Sequence, residues 1–211
     1  MLEHTTPGAL LFCPLSKLIV WHSGERYKEK FHDRAEVVRT AKDLASRGVV
    51  RCVSCGRALS VHGSHRRHYR DGEDNRHDGW VAQGHCAACN VFPSLIPSLL
   101  MPRKHFSAEV IESVLKQNEE GLGLGSSDCP ASNSTIYRWI GQFRERGAQA
   151  VGWLLSALLT VFERQVSALD LRNRGLLGQL GRLAREFPAP EGAGIIGSAN
   201  IVLTMYNLGF L

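Results

Sequence analysis

Two short cysteine pairs constrain this chain more than any other feature: Cys52-Val-Ser-Cys55 and Cys86-Ala-Ala-Cys89. A CxxC turn presents two thiolates on one side of a tight knuckle, and two such knuckles close a tetrahedron of soft donors. That is the ligand set of a structural zinc ion, with sulfur at about 2.3 Å. A redox CxxC would need only one pair, next to a βαβ unit that the flanking sequence does not suggest. Cys52, Cys55, Cys86 and Cys89 are therefore the expected zinc ligands. A closed four-cysteine set leaves no position for a reacting water, so the metal is read as structural and the protein as a non-enzyme. His85 adjoins Cys86 and is read as a neighbour of the site rather than a ligand; Cys13 and Cys129 receive no role.

The sequence between the pairs is rich in His, Arg and Gly and has little helical period. Ala58 to Tyr69 reads as a long strand, Asp71-Gly72 as a turn and Gly79 to His85 as the returning strand. A hairpin between two CxxC pairs is the layout of a zinc ribbon, assigned to residues 49–102. The outgoing strand carries His62-Gly-Ser-His65-Arg66-Arg67-His68-Tyr69-Arg70. Guanidinium groups spaced along a β-ribbon reach successive phosphates, which makes Arg66, Arg67 and Arg70 candidate nucleic-acid contacts. The competing reading is a solvated hairpin face.

Residues 1–48 read as a separate αβ segment. Leu10 to Phe12 and Leu18 to Trp21 are expected strands. Asp33 is expected to cap a helix, with Glu36 three positions on and an apolar face of Val37, Val38, Ala41, Leu44 and Ala45 ending at Gly48. After the ribbon, Pro93, Pro97 and Pro102 exclude a long helix and suggest a linker whose Leu95, Ile96, Leu99 and Leu100 reach a core. Ser107 should open a helix to about Asn118, with Val110, Ile111, Val114 and Leu115 facing inward. A second helix is expected from Ser132 or Ser134 to Arg146, stopped by Gly147, and a third from Ala148 to Val166. On the second, Ile136, Trp139, Ile140 and Phe143 share one face, while Arg138 and Gln142 lie opposite and Tyr137 flanks them. An exposed Tyr/Arg/Gln set suits a helix lying in the major groove, and an ordinary packing helix with a polar outer face would look the same.

The segment Ser132-x-Ser-Thr-Ile-Tyr-Arg-Trp-Ile-x-x-Phe143 resembles the recognition helix of transposase-type helix-turn-helix domains. With the cysteine pairs and Ser94-Leu-Ile-Pro-Ser-Leu-Leu-Met-Pro-Arg-Lys-His-Phe-Ser-Ala-Glu-Val-Ile111 it resembles small zinc-ribbon proteins of bacterial mobile elements. The resemblance covers residues 50 to 146. It implies sequence-directed binding of double-stranded DNA in transposition, recombination or its control, with Ser134, Thr135, Tyr137, Arg138 and Gln142 facing the groove. The chain departs from that family in two places. The span from Asn118 to Ser132, where the middle helix of the motif belongs, is Gly/Ser-rich and contains Pro130. Residues 147–211 carry no recognisable catalytic triad, since Glu163, Asp170 and Glu186 fit none, so catalysis is not implied.

The expected fold is thus α+β: a four-Cys zinc ribbon (49–102), a helix-turn-helix-like domain (103–147) and a C-terminal helical region (148–211). A formal charge of +5 agrees with a polyanionic partner without demanding one. Met1 to Pro7 lacks the basic and apolar parts of a secretory leader, and no apolar run is long enough to span a bilayer, so a cytoplasmic protein with no membrane contact is expected. Two other functions compete with the DNA reading. One is a protein-interaction adaptor that binds a recombinase or transposase; the other is an inactive transposase fragment. Trp153, Leu154, Leu155, Leu158, Leu159 and Phe162 are read either as core or as the interface of a homodimer.

Overall fold

The computed structural model describes residues 18–21, 31–123, 129–163, 166–187 and 194–205. Within them the chain is α+β, a sheet bearing four clustered cysteines followed by a mainly helical region. The expected strand Leu10–Phe12 lies outside the described residues.

Strand β1 (Leu18–Trp21) comes first, then helix α1 (Arg34–Ser46). Asp33 is its N-cap: the carboxylate accepts from the backbone N–H groups of Ala35 (2.8 Å) and Glu36 (3.3 Å). Such a cap contributes about 1 kcal/mol. Val37 and Ala41 are buried, as the spacing predicts. The helix closes where Arg47 and Gly48 donate back to Asp43 and Ala45.

The hairpin is β2 (Ser60–Arg70) against β3 (Arg76–His85), antiparallel, with Arg66 opposite Trp80 and Arg67 opposite Gly79. Asp71 builds the turn. One carboxylate oxygen accepts from the backbone N–H groups of Glu73 and Asn75, and the other contacts His77 Nε2 at 2.7 Å. His77 holds the Asp71 carboxyl well below the usual range, at about 2.

Residues 94–97, expected to be linker, form strand β4 (Ser94–Pro97). β4 is internal to the sheet, whose order is β1-β4-β3-β2. It runs antiparallel to β3 and parallel to β1. The prolines hid it. Pro93 and Pro97 bracket only four residues, and Pro97 sits at the last position, where a missing N–H does least harm. Leu95, Ile96 and Leu100 are each 1% exposed, so the expectation that they reach a core holds.

Helix α2 (Ala108–Glu119) is capped by Ser107, whose hydroxyl accepts from the Val110 N–H, and buries Val110, Ile111, Val114 and Leu115 as expected. No helix lies among the described residues between 120 and 132. Helix α3 then runs without a break from Asn133 to Phe162, thirty residues. The stop expected at Gly147 is absent. Its glycine serves a close approach instead: a Cβ there would lie 2.7 Å from Leu176 Cδ2. Two short helices follow, α4 (Ala168–Arg172) and α5 (Leu176–Ala184), and then α6 (Gly194–Met205).

Helix α2 ties this region together through its acids. Glu119 accepts from the Leu177 N–H (2.7 Å) and Glu112 from the Ile196 N–H (3.0 Å). Each carboxylate thereby satisfies the orphan donors at the start of a helix far away in sequence. Two apolar cores result. The ribbon core holds Phe31, Val37, Leu59, Val81, Leu95, Ile96 and Leu100. The helical core holds Ile111, Ile136, Trp139, Leu154, Leu158, Leu180 and Ile196. Helix α6 serves both, since its Ile201 lies in the first while Val202 and Leu203 lie in the second. Leu154 and Leu158 are fully buried, so that part of the apolar run is core. Trp153 (36% exposed) and Leu159 (55%) reach the surface.

Candidate metal centre and basic surfaces

The two cysteine pairs adopt the same turn. Cys52 donates its N–H to Arg57 O, and its carbonyl accepts from Gly56; Cys86 donates to Val91 O, and its carbonyl accepts from Asn90. The fifth residue of each turn is left-handed, Gly56 at φ +69° and Asn90 at +52°. Gly and Asn are the residue types that tolerate this conformation. The chain thus presents two matching knuckles, one leading into β2 and one leaving β3.

Their four sulfurs all lie within 4.8 Å of one another, with Cys52–Cys89 at 3.9 Å and Cys55–Cys86 at 3.6 Å. A tetrahedron with metal–sulfur bonds of about 2.3 Å has edges of about 3.8 Å. These separations bracket that value and are far beyond the about 2.05 Å of a disulfide. The four cysteines could therefore hold one metal ion. Their proton affinities differ with their surroundings. The Cys89 N–H lowers the Cys86 thiol to about 7, burial raises that of Cys52, and the hydrogen bond with Cys55 pushes Cys89 up to about 12. One thiol ionises readily, and its charge then opposes the others until a cation neutralises the group.

Farther along β2, toward the turn, are the hairpin arginines, which have three different fates. Arg67 is turned inward, donating to the carbonyls of Met101 and Lys104 (3.1 Å to the latter), and burial lowers its pKa. It fastens the hairpin to the segment before α2. Arg70 pairs with Asp74 at 2.7 Å. Arg66 is exposed and lies over the Trp80 ring at 5.3 Å. Arg34, which the sequence did not single out, lies over the same ring at 5.2 Å and donates to Ser64 Oγ. Stacking on an indole holds a guanidinium flat with its N–H edges outward, which suits an incoming phosphate.

The α3 candidates divide in the same way. Ser132 is the N-cap, and its hydroxyl contacts Ser134 Oγ and donates to Thr135 Oγ1 (3.0 Å). Ser134 is exposed and Thr135 half-buried. Tyr137 is 65% exposed and Arg138 is exposed. Behind them Ile136, Trp139, Ile140 and Phe143 are buried, as the helical period predicts. Gln142 is half-buried and its Oε1 accepts from Lys104 Nζ. Lys104 and Arg146 were missed by the sequence reading. Lys104 lies two residues after Pro102 in the loop before α2, so no periodicity marks it. Arg146 was taken for the last residue of a helix and lies in the middle of one.

No helix among the described residues is long and apolar enough to cross a membrane. No curated protein and no solved structure matches the chain. Residues 52–139 match the model of a family described as a domain of unknown function (DUF6431). The matched stretch opens on Cys52, the first residue of the cysteine cluster, and ends at Trp139 in α3, so the chain is similar to that family over the ribbon, β4, α2 and the first turns of α3.

Proposed function

We propose that this protein is a zinc-dependent DNA-binding protein, an accessory or regulatory factor of transposition or recombination, acting in the cytoplasm on double-stranded DNA. The observation that carries the reading is the division of α3. Four apolar side chains are sunk in the helical core, while Tyr137 and Arg138 stand exposed on the same turns. A helix anchored on one face and presenting aromatic and guanidinium groups on the other is equipped to enter a major groove. The resemblance of Ser132 to Phe143 to transposase-type recognition helices supports the same reading. Arg66 on the hairpin and Arg34 on α1, both over Trp80, add a second basic surface for backbone phosphates.

Zinc is the proposed metal because four thiolates within 4.8 Å of one another favour it over hard cations. Its work is to hold the ribbon shut, and no catalytic step is assigned to it or to any residue.

Selection of bound sequences from a random duplex pool tests the reading. A recovered consensus is expected, and Arg138→Ala should cost about 1–3 kcal/mol and relax it at one position if that side chain meets a base edge. Arg66→Ala should weaken all duplexes alike. Failure of the wild type to enrich any sequence, or to bind duplex with salt dependence, sinks the DNA reading. In that case Trp153 and Leu159, exposed on α3, favour the adaptor reading, with a protein or a second copy of the chain as partner.

A further inference from the structure

We propose that Lys104, Arg138 and Arg146 form a built phosphate site that seats one backbone phosphate of duplex DNA against α3, with Gln142 and Arg67 as positioning residues. The proposal rests on the DNA-binding reading and assigns it an anchor point.

Arg138, Gln142 and Arg146 are spaced by four along α3, so they form one stripe on its surface. Lys104 reaches this stripe from the segment before α2, and its ammonium donates to the Gln142 amide oxygen. A lysine has three donors, so the contact fixes the nitrogen and leaves N–H groups for another acceptor. The Lys104 backbone is fixed in turn. Its carbonyl and that of Met101 both accept from Arg67, which reaches across from β2. The ammonium is therefore held from both ends.

The charge at this place is one-sided. Burial lowers the Lys104 pKa first, and the positive fields of Arg138 and Arg146 lower it further. Among the described residues, no carboxylate is paired with any of the three. Glu145 shares this stripe but is exposed and makes no ion pair among the described residues, so the three cations still repel one another in the free protein and gain free energy when an anion arrives. Beside them is a small recess of about 20 Å³, lined by Trp139, Phe143, Ile111 and Met101 together with Lys104 and Gln142. An apolar floor lowers the local dielectric and strengthens each contact to a bound oxyanion. A tetrahedral phosphate suits the set, with a point charge from lysine and flat forks from two arginines.

The first arm of the test needs no DNA. In protein carrying ¹³C-labelled lysine, with Lys104 assigned through Lys104→Arg, its Cε resonance should titrate below the other lysines. Addition of inorganic phosphate should move that midpoint upward selectively. Arg138→Gln with Arg146→Gln should abolish the phosphate response. Arg67→Ala should weaken it while the cysteine cluster still binds metal, as a positioning role requires. A Lys104 midpoint that ignores phosphate, or moves only with all the other lysines, overturns the site. In the second arm, Lys104→Gln and Arg146→Gln should each reduce the salt slope of duplex binding by about 1 for every sequence. If the wild type binds duplex and these variants keep its slope, the phosphate site fails and the DNA reading survives. If the wild type binds no duplex yet phosphate still moves Lys104, the DNA reading fails and an oxyanion site remains.

Discussion

The ribbon and the helical region solve the same problem by different means. The ribbon strands follow irregular burial patterns, and in β2 only Tyr69 is buried. Such a hairpin carries too little apolar surface to close unaided, and its open end is where the four sulfurs meet. The helical region has a continuous apolar core from Ile111 to Leu203, and its helix starts are satisfied by the acids of α2. The ribbon gathers four candidate ligand atoms at its end beside its own apolar core, and the helical region rests on many weak contacts spread along its length. Perturbations that remove ligands should therefore separate from those that remove methyl groups.

Metal removal should have the largest effect. Structural zinc contributes apparent binding energies of about 10–16 kcal/mol near neutral pH in small ribbons and fingers, because site and fold form together. Elemental analysis should give one zinc per chain. Chelation, or Cys52→Ser, should abolish protection of the β2–β3 amides in hydrogen exchange while α3 keeps its helical signal. A metal-free protein with an unchanged hairpin would erase the contrast between the regions.

A truncation in the other core should give the reverse pattern at smaller scale. Leu158 is fully buried in the helical core. Leu158→Ala should cost about 2–5 kcal/mol by denaturant unfolding. The cysteine cluster should keep its metal and the hairpin its exchange protection. Loss of both regions together would show that α6, which packs its Ile201 into the ribbon core, makes the chain one cooperative unit.

The smallest effect tests the far end of the hairpin, away from the sulfurs. Asp71 titrates at about 2, below its ordinary 3.8, chiefly through its contact with His77. A depressed carboxylate stabilises the fold above its unfolded pKa and loses that contribution as pH falls from about 4 toward 2. The side chains are each about a third exposed, so the contribution is discounted to less than about 1 kcal/mol. His77→Ala should return the Asp71 midpoint, followed by carboxyl NMR, toward 3.8. A midpoint unmoved by that change would show that the Asn75 and Glu73 N–H groups alone hold it.

The sequence by itself determined the features set by short-range chemistry. Two CxxC pairs flanking a hairpin bring four thiols to one end of it, so the cysteine cluster was legible from residue order alone. The caps at Asp33 and Ser107 and the buried faces of α1, α2 and the first half of α3 follow from donors and periods that act within one or two turns. The tertiary structure decided whatever depends on a neighbour distant in sequence. Gly147 reads as a helix stop because glycine weakens a helix, and it lies inside one because Leu176 needs the room. Residues 94–97 are too short and too proline-bound to announce a strand, and they become one because β1 and β3 supply partners on both sides. Arg66 and Arg67 are adjacent and chemically identical, and strand alternation sends one over Trp80 and the other into the carbonyls of Met101 and Lys104. Lys104 gained its place beside Arg138 and Arg146 only through that packing, because no local pattern links a residue after a proline to a helix stripe more than thirty positions away.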